Sequence, residues 1–209
     1  LRRKKTCHDR VKITPLPHGS APFDLIYVDC LGPITVGNMR EKYCVVTVDS
    51  FSRFIEAEVV SNLSAHSVCD GLLRIFSRTE YPRQICSDNA TCFTSKLTAE
   101  FMKLLRISPR FSTPLTPQQN GLAERAIGTF KSCLHFVIKQ FGQNWAKFVP
   151  FIVSTLKDMP SSITGHTPWE LICGRQARTP LTLLREYWAD DTTVDPSTLG
   201  PTNKYICQI

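Results

Sequence analysis

Leu25-Ile-Tyr-Val-Asp-Cys-Leu31 is an apolar run broken only by Asp29 and closed by Gly32-Pro33. A run this short, bounded by turn residues, reads as a buried central strand. A strand of that kind requires a sheet with cover, which constrains the chain more than any other stretch. Asp29 is then an anomaly. A lone carboxylate in a buried strand is costly unless it is paired or holds a cation.

The stretches that follow predict the rest of the sheet and its helices. Tyr43–Val48 is a second apolar run, ended by the turn-like Asp49-Ser50. Arg53–Val60 alternates, with Ile55, Ala57 and Val59 on one face and Glu56 and Glu58 on the other, which predicts a half-buried strand. Ser64 is a candidate cap for a helix carrying Val68, Leu72, Ile75 and Phe76, which must end before Pro82. Gln84–Ser87 predicts a short strand that delivers Asp88 into a loop. Ser95 is placed to cap a helix with Leu97, Phe101, Leu104 and Leu105. Ile107–Ser112 reads as an edge strand, because Pro109 lacks a ladder donor.

From about Pro117 to Phe141 runs the clearest helix, with Leu122, Ala123, Ala126, Ile127, Phe130, Cys133, Leu134, Val137, Ile138 and Phe141 on one stripe. A further helix is expected around Trp145–Leu156, then a segment punctuated by Gly and Pro from Gly165 to Pro180. This order predicts an α/β fold, a mixed sheet with helices packed on it.

Charge divides the chain. Residues 1–12 hold a net +5, residues 13–185 another +5, and residues 186–209 carry −3. The basic body suits a polyanion, since Lys and Arg displace counterions condensed on nucleic-acid phosphates. The expected organisation is a basic linker at 1–22, ending a truncated upstream module, a core at 23–185, and an acidic, disordered tail at 186–209. The chain starts at Leu1 without a signal pattern, so a fragment of a longer intracellular protein is expected. No run approaches the roughly 18 apolar residues of a membrane span. Nine cysteines, an odd number without paired spacing, read as small core hydrophobes rather than a disulfide framework.

Two other carboxylates join Asp29. Asp88 follows a strand within Ser87-Asp88-Asn89, and Glu124 lies on the long helix about 120° from Phe130, off the apolar stripe. Asn120, Glu124, Gly128 and Lys131 share a separate face suited to a phosphate. Taken singly, Asp88 also reads as a turn aspartate and Glu124 as a solvent-facing helix residue. Asp24 and Asp49 are rivals, placed before a strand and at a hairpin turn, and both read as structural. Three oxygen donors on two strands and a helix suit Mg²⁺ or Mn²⁺, and two such ions can serve both oxygens of a phosphodiester exchange.

The segments Phe23–Ile34, Ile85–Phe93 and Thr116–Arg125 resemble the integrase core of retroviruses and gypsy-type LTR retrotransposons, whose Asp, Asp, Glu triad has 35 residues between the last two. Here 35 residues lie between Asp88 and Glu124. Thr164–Arg175 resembles the family's sequence beyond the core, and the match spans about residues 20–185. Ala90 stands where the family commonly has Gly, and Thr116 where His is frequent.

The resemblance implies a ribonuclease H-like fold, a five-stranded mixed sheet flanked by helices. It implies Asp29, Asp88 and Glu124 as catalytic and metal-binding residues holding two Mg²⁺ or Mn²⁺ ions. It implies 3′-end processing and strand transfer into target DNA, self-association into homo-oligomers, no membrane partner, and DNA contacts at Asn120, Arg125 and Lys131. Nuclear or cytoplasmic action follows. The alternative reading is a catalytically inactive, decayed or host-adopted copy that binds nucleic acid.

Overall fold

The computed structural model describes residues 19–36, 42–111, 121–161, 164–179 and 182–183. The linker before residue 19, the tail from 184 onward, Asn120 and Thr116 lie outside the described residues. Strands β1 (Leu25–Leu31), β2 (Tyr43–Asp49), β3 (Ile55–Val60), β4 (Gln84–Ser87) and β5 (Ser108–Phe111) form one sheet in the order β3-β2-β1-β4-β5. The β1/β2 and β2/β3 pairs are antiparallel, and β1/β4 and β4/β5 are parallel. A parallel neighbour needs a crossover. Helix α1 (Ala65–Arg78) supplies it between β3 and β4, with Ser64 accepting from the Ser67 amide at its start.

Alternation along β1 sorts the molecule into three layers. Ile26 and Val28 pack with Val68, Leu72, Ile75 and Phe76 of α1. Met102 of α3 (Lys96–Leu104), reached through the short α2 (Thr91–Thr94), joins that layer. Leu25, Tyr27 and Leu31 face the opposite layer. There they meet Ile127, Phe130, Leu134 and Val137 of α4 (Gly121–Phe141). A 3₁₀ turn at Gly142–Phe148 brings in Trp145, and α5 (Val149–Lys157) adds Val149, Ile152 and Val153. The described part of the predicted α4 stripe is therefore the core seam, except that Phe141 emerges and stacks on Phe148 with ring centres 3.9 Å apart.

The structure changes three expectations. β3 starts at Ile55 rather than at Arg53, because Arg53 turns the hairpin with φ of 65°. Its second face is not open to water. Glu56 is only 7% exposed and is held by Lys157 and Arg78, while Glu58 takes Arg74 and Arg78. The segment after Gly165 contains a helix, α6 (Pro168–Cys173), opened by a reciprocal capping box between Thr167 and Glu170 and ended by Gly174 with φ of 66°. Of the described cysteines, Cys44, Cys69, Cys86 and Cys92 are buried and none is bridged. Burial in the sheet pushes the Cys44 thiol up to about 12.

Candidate active site

Asp29 lies on β1 between Tyr27 and Leu31, and so on the α4 side of the sheet. It is near the strand's open end and its side chain is 31% exposed. One carboxylate oxygen accepts from the Cys30 amide at 2.8 Å, and the other lies 2.9 Å from the ammonium of Lys131 on α4. The charge that interrupts the apolar run is therefore a paired one at the rim of the core.

The parallel register brings the second aspartate alongside. Leu25 pairs with Gln84, Ile26 with Ile85 and Tyr27 with Cys86. The pairing ends there, and Asp29 and Asp88 each lie two residues beyond the last pair, Asp88 one residue past the end of β4. The Cys30 thiol feels both carboxylates. Burial raises its pKa most, the neighbouring Cys92 adds to this, and the charges of Asp29 and Asp88 both act in the same direction. Asp88 is exposed, and its carboxylate accepts the Ala90 amide at 3.1 Å in a tight turn that leads into α2. Ala90 sits at φ −60°, which any L-residue adopts, and its side chain packs against the α1 layer. The turn has no need of the glycine that is common there in the family.

Glu124 is exposed in the first turn of α4, where the positive end of the helix favours a carboxylate. The buried Tyr27 feels its charge weakly. Burial raises the Tyr27 pKa most, with smaller effects from Cys86, Arg53, Arg110 and Glu124. Tyr27, Cys86 and Arg110 form one cross-strand row over β1, β4 and β5. Glu124 acts weakly on that row from the first turn of α4. Gly128, one turn on, faces open space, since an added Cβ would meet nothing within 4 Å.

Arg125 is exposed and, with Arg53, Thr129 and Ser161, lines a cavity of about 210 Å³ between α4 and the end of α5. Lys131 is half-exposed. The rivals are structural as expected. Asp49 is 1% exposed and accepts from the Phe23 amide and from the Ser52 amide and hydroxyl, while Asp24 takes Ser20, the Ala21 amide and Arg83. His135 was not singled out in the sequence, although it lies one turn beyond Lys131 on the same ridge. Both line a groove beside Asp29.

The aspartate pair offers oxygen donors only, the chemistry that Mg²⁺ or Mn²⁺ prefers. The Lys131 ammonium already places a cation on Asp29. Among the described residues no three His, Cys, Asp or Glu side chains converge on one point. The fit to a divalent ion therefore rests on Asp29 and Asp88, with Glu124 standing apart.

A five-stranded mixed sheet covered on both faces, with acidic residues gathered at one end of its central strands, is a ribonuclease H-like domain. Residues 19–117 match the family model described as "Integrase core domain". An uncharacterized protein of Caenorhabditis elegans is 32% identical over 83% of this chain, and the Gag-Pol polyprotein of walleye dermal sarcoma virus is 30% identical over 86%. The chain spans only 13% and 10% of these relatives' lengths.

Among solved structures, the HTLV-2 integrase catalytic core domain in complex with magnesium superposes with a TM-score of 0.61 at 20% identity. It covers 74% of this chain, and 99% of its own length is matched. The catalytic core domain of BIV integrase gives a TM-score of 0.60 at 23% identity, covering 79% of this chain and 99% of its own. This chain belongs to the integrase core family of retroviral and retrotransposon polyproteins.

No described helix is long and apolar enough to cross a membrane.

Proposed function

We propose that this chain is an active integrase core, which trims the 3′ ends of its element's DNA and joins them to target DNA by direct transesterification. The observation that carries the reading is the parallel β1/β4 register, which brings Asp29 and Asp88, each two residues past its last pair, to the same end of the sheet. In strand transfer the 3′ hydroxyl oxygen forms a new bond to a target phosphorus. The target's own 3′ oxygen leaves and takes up a proton.

Asp29 and Asp88 would hold one Mg²⁺ or Mn²⁺ ion, and either aspartate with Glu124 a second. Bound there, a metal would lower the pKa of the attacking hydroxyl and stabilise the departing oxygen. The chain's own contribution is positional. β1 carries Asp29, β4 leads into Asp88 one residue past its end, and α4 presents Glu124, Arg125 and Lys131 on its exposed surface for the DNA end, with Asn120 preceding it in the sequence. Magnesium in the HTLV-2 core supports the choice of metal, and the dimeric and trimeric forms of that core support self-association. DNA as substrate places the work in the nucleus or cytoplasm.

The test is a strand-transfer and disintegration assay on the purified chain with Mg²⁺ or Mn²⁺. Turnover that is lost in both Asp88→Asn and Glu124→Gln, with the circular-dichroism spectrum unchanged, is the expected result. Activity surviving Glu124→Gln would remove Glu124 from the site. Duplex binding without turnover in either metal would mark the chain as a nucleic-acid-binding copy.

A further inference from the structure

Lys131, paired with Asp29, lines an open groove of about 410 Å³ together with Leu31, Gly32, Ile34, Leu134 and His135. One Asp29 oxygen accepts from the Cys30 amide and the other faces the Lys131 ammonium, so a metal taking the second oxygen meets the lysine. A divalent ion at that atom must compete with the ammonium already there. The competition is an unequal one. The lysine side chain is 51% exposed, and an ion pair this open to water is worth little. The groove is lined by apolar residues and by Lys131, with His135 one turn further along α4. A lysine that leaves Asp29 has this groove directly beside it, open to solvent.

We propose that Lys131 is the resting counter-ion of Asp29, that it yields this carboxylate to a divalent cation, and that the released ammonium then takes a nucleic-acid phosphate at the groove. The proposal rests on the reading of Asp29 as a metal ligand. Its consequence is positive coupling. The metal frees the lysine for the phosphate, a phosphate on the lysine vacates the carboxylate for the metal, and linkage makes the two effects equal. One side chain thereby makes each ligand favour the other, and an unloaded site is kept electrically neutral at Asp29.

The experiment titrates Mn²⁺ by calorimetry, without DNA, into the full chain and into Lys131→Ala, Lys131→Gln and Asp29→Asn. Both Lys131 variants should bind Mn²⁺ about two- to five-fold more tightly, the range set by an exposed ion pair. A second arm measures binding of a short duplex with and without Mn²⁺. The enhancement by metal should shrink in Lys131→Ala. Mn²⁺ affinity that is unchanged or weaker in both Lys131 variants, while Asp29→Asn still abolishes binding, would overturn the counter-ion role and leave the metal reading standing. Mn²⁺ binding that is indifferent to Asp29→Asn would overturn the metal reading and this proposal together.

Discussion

Tyr27 of β1 stands opposite Cys86 of β4 in a parallel register, and this pairing determines which acidic residues follow at the same end of the sheet. Two residues on from each lie Asp29 and Asp88. A slip of one residue would turn Asp88 to the α1 face, because side chains alternate along a strand. The register is held from both sides. Tyr27 and Cys86 are buried on the α4 face, and Ile26 pairs with Ile85 on the α1 face.

Ile85→Ala should therefore affect the site as well as stability. Ile85 is 2% exposed, and its truncation is expected to cost about 2–5 kcal/mol in chemical denaturation. If the β1/β4 register orients Asp88, this variant, assayed under conditions where it remains folded, also loses Mn²⁺ affinity. An equally destabilising change away from β4, such as Leu72→Ala on α1, should leave Mn²⁺ affinity unchanged.

Ala90→Gly tests the turn after Asp88. The native φ of −60° is open to alanine, so glycine gains nothing in the folded state and adds freedom to the unfolded chain. Thermal unfolding should show a loss of about 0.4–1 kcal/mol, with no gain in metal affinity. A stabilised variant would mean that the turn is strained.

The elements legible in the sequence are those whose signal is local. β1 matches its apolar run, α1 and α3 start after Ser64 and Ser95, and β5 lies at the sheet edge as Pro109 requires. The Thr167/Glu170 box was equally local, a Thr-x-x-Glu with Pro168 behind the cap, but the flanking glycines and prolines masked it. What could not be read is what depends on long-range contacts. Glu56 and Lys157 are 101 residues apart, so the alternation in β3 suggested a wet face where a buried ion pair lies. The Lys131–Asp29 pair spans strand and helix in the same way. The helix face of Lys131 was legible, but its partner was not.

The Glu56–Lys157 pair gives a prediction in which breaking and replacing differ. Both side chains are nearly buried, Lys157 also lies 4.2 Å from the centre of the Phe54 ring, and Arg78 reaches the same carboxylate. Lys157→Ala leaves Glu56 with only the partly exposed Arg78, and denaturation should show a loss of about 3–5 kcal/mol. The double variant Glu56→Leu/Lys157→Leu should recover most of that loss, since Arg78 keeps Glu58 at 2.9 Å. A double variant as unstable as the single one would mean that the pair contributes more than its desolvation costs.

Asp49 sets a pH dependence. Burial raises its pKa above the ordinary 3.8, against the three donors from Phe23 and Ser52 and the charge of Arg53. A raised pKa in the folded state means that the folded chain holds its proton more tightly than the unfolded chain. Its contribution to stability is then full below the unfolded value and falls as pH rises through the folded one. Asp49→Asn should remove this slope from the stability profile above pH 3.8. It should also cost about 1–3 kcal/mol at neutral pH, because an amide nitrogen replaces one of two accepting oxygens and leaves a donor at Phe23 or Ser52 unpaired. A variant that keeps the wild-type slope would assign it to another carboxylate.

Lys131 supplies the electrostatic test of DNA contact. If its ammonium neutralises one phosphate in the bound state, Lys131→Ala weakens duplex binding and reduces the slope of log K against log salt by about 0.9, the value for one contact on B-form DNA. The measurement is best made with Mn²⁺ present, when Asp29 no longer competes for the side chain. Arg125→Ala on the same helix should lower the slope independently, because its cavity with Arg53 lies at the end of α5 rather than at the Asp29 groove. An unchanged slope in Lys131→Ala with metal bound would leave Lys131 as a partner of Asp29 alone.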